Sequence, residues 1–247
     1  MGVQDPRVCH IAADQQTPLP VALVEALNKI AGGPHPGFRA NHAEGVMASG
    51  RFTPSSQARA LSKAPHFAGA AMPLTVRYSN DSGHIHFSDG ALNARPHGMA
   101  IRFHLPDGGS TDIVTNSTKA FPVSTPEDFL ALLNAVVAIG PGVAKPTPLD
   151  DFIASHPSTA RYFASWHAAP VSFGTLTHHG LNAFKFTNGK GESRYIRYRI
   201  VPAGGDQFLT DAVTEAAAPC CSIRCRCLMA SSHRRIRRWR CVSRPTP

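Results

Sequence analysis

Acidic residues are missing from the last 29 positions of this 247-residue chain. All 16 Asp and Glu precede residue 219, where they face 17 Lys and Arg and leave a net charge of +1; the remaining segment carries eight arginines and no acid. The overall charge of +9 is therefore a property of the tail, and the usual inference from a basic protein to a polyanionic partner applies only there. Cysteine follows the same division. Cys9 stands alone in the body, while Cys220, Cys221, Cys225, Cys227 and Cys241 fall in the tail. Long apolar runs are absent as well: "FLALLNAVVAIG" is too short to cross a bilayer. The first residues lack a basic patch followed by an apolar stretch, so no secretory signal is expected and a cytoplasmic protein is the default. No P-loop, Rossmann glycine fingerprint, H-E-x-x-H, Gly-x-Ser-x-Gly or internal repeat appears.

What remains is enough for a sizeable core, since 43% of residues are hydrophobic. Residues 18–31 predict a short amphipathic helix with Leu23, Leu27 and Ile30 near one stripe and Gly32 as its stop. "GGPHPG" is then a stiff, turn-rich connector. From residue 73 the period becomes two. "LTVRYS" sets Leu74, Val76 and Tyr78 against Thr75, Arg77 and Ser79, and "GMAIRFHL" sets Met99, Ile101, Phe103 and Leu105 against Arg102 and His104. "PDGG" predicts a hairpin turn with "TDIVTNS" as the return strand. "NAFKFTNGKGESRYIRYRIVP" predicts a second hairpin around "NGKG", its return strand running as one piece from Tyr195 to Ile200. Between them, "STPEDFLALLNAVVAIG" has a Ser/Thr cap, Pro126 in the first turn and two early acids, with Phe129, Leu132, Leu133, Val136 and Val137 as its apolar side. "HPSTARYFASW" opens another helix. This order of strands, helix and strands predicts an α+β fold with a mainly antiparallel sheet or barrel.

The chemistry begins in "FRANHAEGVMASGRF", residues 38–52, where Arg39 stands three positions before His42 and no charge follows from Gly45 to Gly50. Arg77 lies on the polar side of its strand, Asn116 ends "DIVTN", and Phe121 and Phe129 follow at short intervals. Each has an ordinary reading too: a hydrogen-bonded core histidine, a solvated strand-face arginine, an asparagine capping a turn, two core phenylalanines.

In their order and spacing these stretches resemble the haem catalase superfamily. The segments are Arg39-Ala-Asn-His42-Ala-Glu-Gly45, Val76-Arg77-Tyr78-Ser79, Gly98-Met-Ala-Ile-Arg-Phe103 and Asp112-Ile-Val-Thr-Asn116. The loops "ASGRFTPSSQARALSKAPHF" and "FLTDA" are most similar to the smaller branch, the catalase-related peroxidases, and the likeness runs from about residue 18 to about residue 215. It implies a catalase-like antiparallel β-barrel core with flanking helices, a haem b cofactor, and breakdown of hydrogen peroxide with an organic reductant as second substrate. It implies that His42 is the acid/base, Asn116 its assisting amide and Ser79 an orienter of His42. Arg39 and Arg77 would neutralise haem propionates, and Phe121 and Phe129 would form apolar walls. The uncharged run after His42 would then line a tightly packed, dry strand. A homo-oligomer is expected, without specific nucleic-acid binding or a membrane span.

The resemblance divides the chain into an N-terminal arm with a short helix (1–35), a haem-binding core (36–215) and an Arg/Cys-rich irregular tail (216–247). In the family the iron's proximal ligand is a tyrosine on a downstream helix. Tyr78, Tyr162, Tyr195 and Tyr198 are the tyrosines of this sequence, and none follows the core in such a setting. A tail cysteine or His233 is the substitute the sequence offers. The C-terminal part thus reads as truncated or replaced, and the tail resembles a GC-rich message read out of frame. Two functional readings of it stay open: metal binding by its cysteines, which lack paired C-x-x-C spacing, and polyanion binding by "RRIRRWRC". A catalytically impaired, catalase-like fragment is the alternative to an active enzyme. Elsewhere "HIH" sets His84 and His86 in a stretch expected to be a surface loop rather than a metal pair, and His178-His179 are expected in a solvent-facing turn before Gly180.

Overall fold

A computed structural model describes residues 17–85, 91, 95–210, 240–241 and 244–245. Helix α1 (Leu19–Ile30) opens the described chain with a proline in its first turn. Strand β1 (Gly45–Phe52) follows, then the single-turn-and-a-half helix α2 (Ser56–Leu61) and a 3-10 turn at Pro65–Phe67. Strands β2 (Met72–Asn80), β3 (His97–His104) and β4 (Ser110–Asn116) come next. Three helices then cross the chain: α3 (Pro126–Val137), α4 (Pro148–Ser155) and α5 (Pro157–Ala164). The remaining strands are β5 (His178–His179), β6 (Phe184–Thr187), β7 (Ser193–Arg197), β8 (Arg199–Val201), β9 (Arg240–Cys241) and β10 (Arg244–Pro245).

Among the described residues the strands form a seven-stranded sheet in the order β1-β2-β3-β4-β5-β8-β9 and a three-stranded sheet in the order β10-β7-β6, all pairs antiparallel. The result is a curled half-barrel flanked by helices, the α+β architecture expected. Its two faces differ because side chains alternate along a strand. One face buries Val76, Tyr78, Met99 and Ile200 against Ala169, Phe173 and Leu209. Toward the other end the same face joins a second cluster of Phe67, Met72, Phe103, Ile113, Phe186, Ile196 and Tyr198, and Leu74 and Ile101 touch both clusters, so one apolar layer runs along it. The helices form a chain of contacts, α1 on α3, α3 on α4 and α4 on α5. Their starts are fixed locally. Thr125 accepts a hydrogen bond from the Asp128 amide, and Thr147 and Asp150 bond reciprocally as a capping box.

Four expectations need correction. The second hairpin's return strand is not one piece: at Tyr198 the chain leaves β7 in the smaller sheet and enters β8 in the larger, while its in–out alternation continues unbroken through Ile196, Tyr198 and Ile200. His178 and His179 are not a solvent-facing turn. They form β5 between β4 and β8, His178 is fully buried and His179 half-buried. Strand β1 is not tightly packed; it is a sheet edge whose residues alternate between exposed and half-buried. Finally, α3 buries Leu132, Leu133 and Ala135 and leaves Val137 at the surface, because its inner stripe is offset from the one expected. The tail, read as lacking strands, contributes two short pairings, β9 on β8 and β10 on β7; its other residues, the further tail cysteines and His233 among them, and also His86, lie outside the described residues.

Phe173 is fully buried, stacked on Tyr78 with centroids 5.8 Å apart and edge-on to His97 at 5.4 Å. Phe173→Ala is expected to lower the unfolding free energy by about 3–5 kcal/mol in denaturant titrations; a loss below about 1 kcal/mol would show that this layer is not the core.

Candidate active site

His42 sits on the loop between α1 and β1 and is the one non-glycine described residue with a left-handed backbone, φ 53°. That conformation is uncommon for a side chain of this size and holds only where surroundings over-determine it. They do so here. The Arg77 guanidinium donates to the His42 carbonyl oxygen at 2.7 Å, and the Ala43 amide donates to Ser82 O at 2.9 Å. Three consecutive residues at the end of β2 then surround the imidazole. Nδ1 lies 3.0 Å from the Asn80 main-chain oxygen, 3.1 Å from Ser79 Oγ, and Nε2 lies 3.4 Å from Asp81 Oδ1. A carbonyl can only accept, so the proton is on Nδ1 and Nε2 is the basic atom.

The sheet register sets the rest of the site. Directly opposed residues in an antiparallel sheet share a face. One row therefore carries Gly45, Ser79, Gly98, Asn116 and His179 across five strands. Gly98 is the close-approach point. A Cβ there would stand 3.0 Å from both His42 Cε1 and Ser79 Oγ, so the bare backbone makes the seat for the imidazole. The next row is Met47, Arg77, Ala100 and Val114. Met47 is 65% and Val114 72% exposed, an open apolar floor on the face opposite the core. Arg77's pKa is lowered, first by burial and then by the positive charge of Arg39, so Arg39 is within electrostatic reach of Arg77 in that row. A flat apolar group bearing carboxylates fits this arrangement, which is the chemistry of haem.

The expected residues divide accordingly. His42 and Ser79 touch, Arg77 bonds to His42's main chain, and Arg39 acts on Arg77 through its charge. Asn116 lies in the Ser79 row, its Oδ1 accepting from the amide and hydroxyl of Thr118, so it also caps the turn as its ordinary reading has it. Phe121 and Phe129 pack edge to face at 4.9 Å, Phe121 largely exposed. Sequence reasoning missed Asn41, Asn80, Asp81, Gly98 and His97 as parts of the site. Asn41 Nδ2 donates to Asp81 Oδ1 at 2.6 Å, and the buried His97 donates from Nδ1 to Asn80 Oδ1 at 3.1 Å. Asn80 and Asp81 follow V-R-Y-S in turn, but no spacing in the sequence ties either of them to His42. His84 is half-buried and His86 lies outside the described residues; among the described residues no cluster of three His, Cys, Asp or Glu is placed to hold an ion.

Three of the four tyrosines are elsewhere. Tyr78 points into the core layer, Tyr198 into the second cluster, and Tyr195 is exposed on β7. Tyr162 is buried on α5, where burial and the charge of Asp81 raise its pKa.

A curled antiparallel sheet with flanking helices is the architecture of a fungal catalase crystal structure, which superposes with a TM-score of 0.60 at 20% identity, covering 87% of this chain and 44% of that one. The Catalase family model matches residues 23–223. A catalase-related peroxidase of Mycolicibacterium paratuberculosis is 38% identical over 182 residues, 72% of this chain and 56% of that protein. A catalase-related peroxidase of Synechococcus elongatus is 33% identical over 186 residues, 73% and 54%. The chain belongs to the catalase family, and within it to the catalase-related peroxidase branch. It spans about half the length of the curated relatives it matches. Among the described residues no helix is long and apolar enough to cross a membrane.

The buried histidines make stability depend on pH. Burial is the main cause that lowers His97 and His178 to about 3. Both are neutral in the folded protein and titrate near 6.5 when unfolded, so the unfolded chain binds more protons between these values, and stability falls as pH drops from about 6.5. At pH 5 each group accounts for about 2 kcal/mol of that loss. In His178→Asn, whose amide can keep the bond His178 Nδ1 makes to Leu176 O at 2.9 Å, the slope of unfolding free energy with pH between 4 and 6 is expected to flatten by about 1.4 kcal/mol per pH unit. An unchanged slope would show that His178 is protonated in the fold.

Proposed function

We propose that this chain provides the distal half of a haem peroxidase or catalase site that breaks down hydrogen peroxide, with an organic molecule as the reductant in its peroxidase cycle. The observation that carries the reading is the seating of His42 above Gly98 with Nδ1–H given to Asn80, which leaves Nε2 basic beside an open apolar floor. Haem b, when bound, would supply the redox chemistry for O–O cleavage, held by Arg39 and Arg77 through its propionates.

The protein's part is proton handling and placement. His42 Nε2 takes the proton from one peroxide oxygen and returns it to the other, a task suited to an imidazole near neutral pH. Ser79 Oγ, at 3.1 Å from Nδ1, helps fix the ring plane. Asn116, its Oδ1 engaged by Thr118, has its amide N–H donors left to steady a peroxide oxygen without competing for the proton. Arg39 and Arg77 hold the propionates, where two neighbouring guanidiniums need two negative charges. Phe121 and Phe129 wall the cofactor edge. The reading rests on a core spanning residues 36–215, with residues 1–35 as an arm and 216–247 as an appended tail.

A second reading has its own observation. Two of the four tyrosines are in the core layer and one is on the smaller sheet, while Tyr162, within electrostatic reach of Asp81, is held in its neutral form by burial. On that reading this polypeptide is a catalase-like fragment with an impaired haem site unless another residue takes the proximal position.

Haemin titration followed by absorption spectroscopy decides between them. The first reading expects saturable binding at one equivalent, weakened at least tenfold in Arg77→Leu, and a peroxide turnover lowered by about 10²–10⁴-fold in His42→Ala with haemin still bound. Absence of saturable binding overturns the first reading in favour of the second.

A further inference from the structure

The proposed function uses one face of His42 and leaves Asp81 without a role. Asp81 Oδ1 lies 3.4 Å from Nε2, the atom that would face peroxide. The same oxygen accepts a 2.6 Å hydrogen bond from Asn41, the residue before His42. With Nδ1–H committed to the Asn80 carbonyl, an unprotonated Nε2 and the Asp81 carboxylate oxygen are two acceptors 3.4 Å apart. A proton between them turns that repulsion into an ion pair. The pair is within reach of water, His42 being 33% and Asp81 21% exposed at the side chain.

We propose that Asp81 is a second acid/base residue of the site, sharing the Nε2 proton of His42 and exchanging it with solvent. The inference rests on the acid/base role proposed for His42. In the forward step a peroxide O–H bond breaks, its proton goes to Nε2 and the electron pair stays on oxygen. The new imidazolium is held by the Asp81 carboxylate, which can carry the proton outward or allow its return to the other peroxide oxygen. Neither residue changes oxidation state. Asn41 tunes the device, since its N–H competes with the imidazolium for Oδ1. The other charged or titratable groups facing this pair are Arg77 at the His42 carbonyl, Arg39 beside it, His97 behind Gly98, and Tyr162 from α5.

The test is nitrogen NMR of the full chain, haem-free, with labelled histidine, from pH 5 to 8. This needs no cofactor, so it stands apart from the haemin titration: failure of haemin to bind leaves the proton sharing testable, and the reverse. In Asp81→Asn the pH at which His42 loses its Nε2 proton is expected to fall, and Asp81→Glu is expected to restore it toward wild type. Asn41→Ala, which frees Oδ1 for the imidazole, is expected to move it the opposite way. In haem-loaded protein, Asp81→Asn is expected to raise peroxide turnover relative to wild type several-fold at pH 5 and to change the ratio little above pH 8. An identical His42 titration in all four proteins, or Asp81→Asn and Asn41→Ala moving it in the same direction, overturns the proposal. So does a turnover lowered by the same factor at every pH, which is what a merely structural Asp81 would give.

Discussion

The bond from His42 Nδ1 to the main-chain oxygen of Asn80 is the constraint on which the site depends. A side-chain partner could rotate away; a strand-end carbonyl cannot, because β2 is paired along its length with β1 and β3. The bond fixes which nitrogen carries the proton and which way the ring faces. It also accounts for the left-handed backbone at His42, whose strain, of order 1–3 kcal/mol, is offset by Arg77 gripping the same residue's carbonyl. Gly98 completes the arrangement by leaving room on β3 where any side chain would push the ring off its seat.

The sheet divides labour between its faces. One is a closed apolar layer in which even histidines are desolvated, His97 and His178 being driven neutral by burial. The other is open, with Met47, Ala100 and Val114 in one row that Arg77 interrupts between Met47 and Ala100, and with Ser79 and Asn116 one row away. Large exposed apolar side chains inside a polar rim are unusual on a protein surface and mark a surface that something covers. A rigid core beneath gives that surface its precision: the rows are spaced by strand pairing, not by loops.

Much of this was legible before any coordinates. The period-two alternation in "LTVRYS" and "GMAIRF" carries β2 and β3, and the in-order family segments bring His42, Arg77, Ser79 and Asn116 to one sheet face. The misreadings have physical causes. Gly180 after His178-His179 looks like a turn signal, but it serves a close strand crossing: a Cβ there would lie 3.2 Å from Tyr198 Cβ, and its amide donates to Tyr198 O at 2.8 Å. The return strand's alternation survives the change of sheet at Tyr198, so periodicity alone could not reveal the switch. The uncharged run Gly45–Gly50 of β1 borders the open floor and is not dry, its residues alternating between exposed and half-buried. Asp81 and Asn41 were invisible because only the left-handed turn at His42 brings residues 40 positions apart onto one oxygen.

The central claim is that the open face of the large sheet is where the cofactor lies. Methyl NMR of the full chain during addition of ferric haemin tests it directly, because a paramagnetic iron broadens nearby signals. The account predicts that the Met47 and Val114 methyl signals broaden together and saturate at one equivalent, while those of Met72 and Ile196 in the second core cluster persist. Broadening scattered over the surface, or a sheet face that stays sharp as haemin binds, would contradict it.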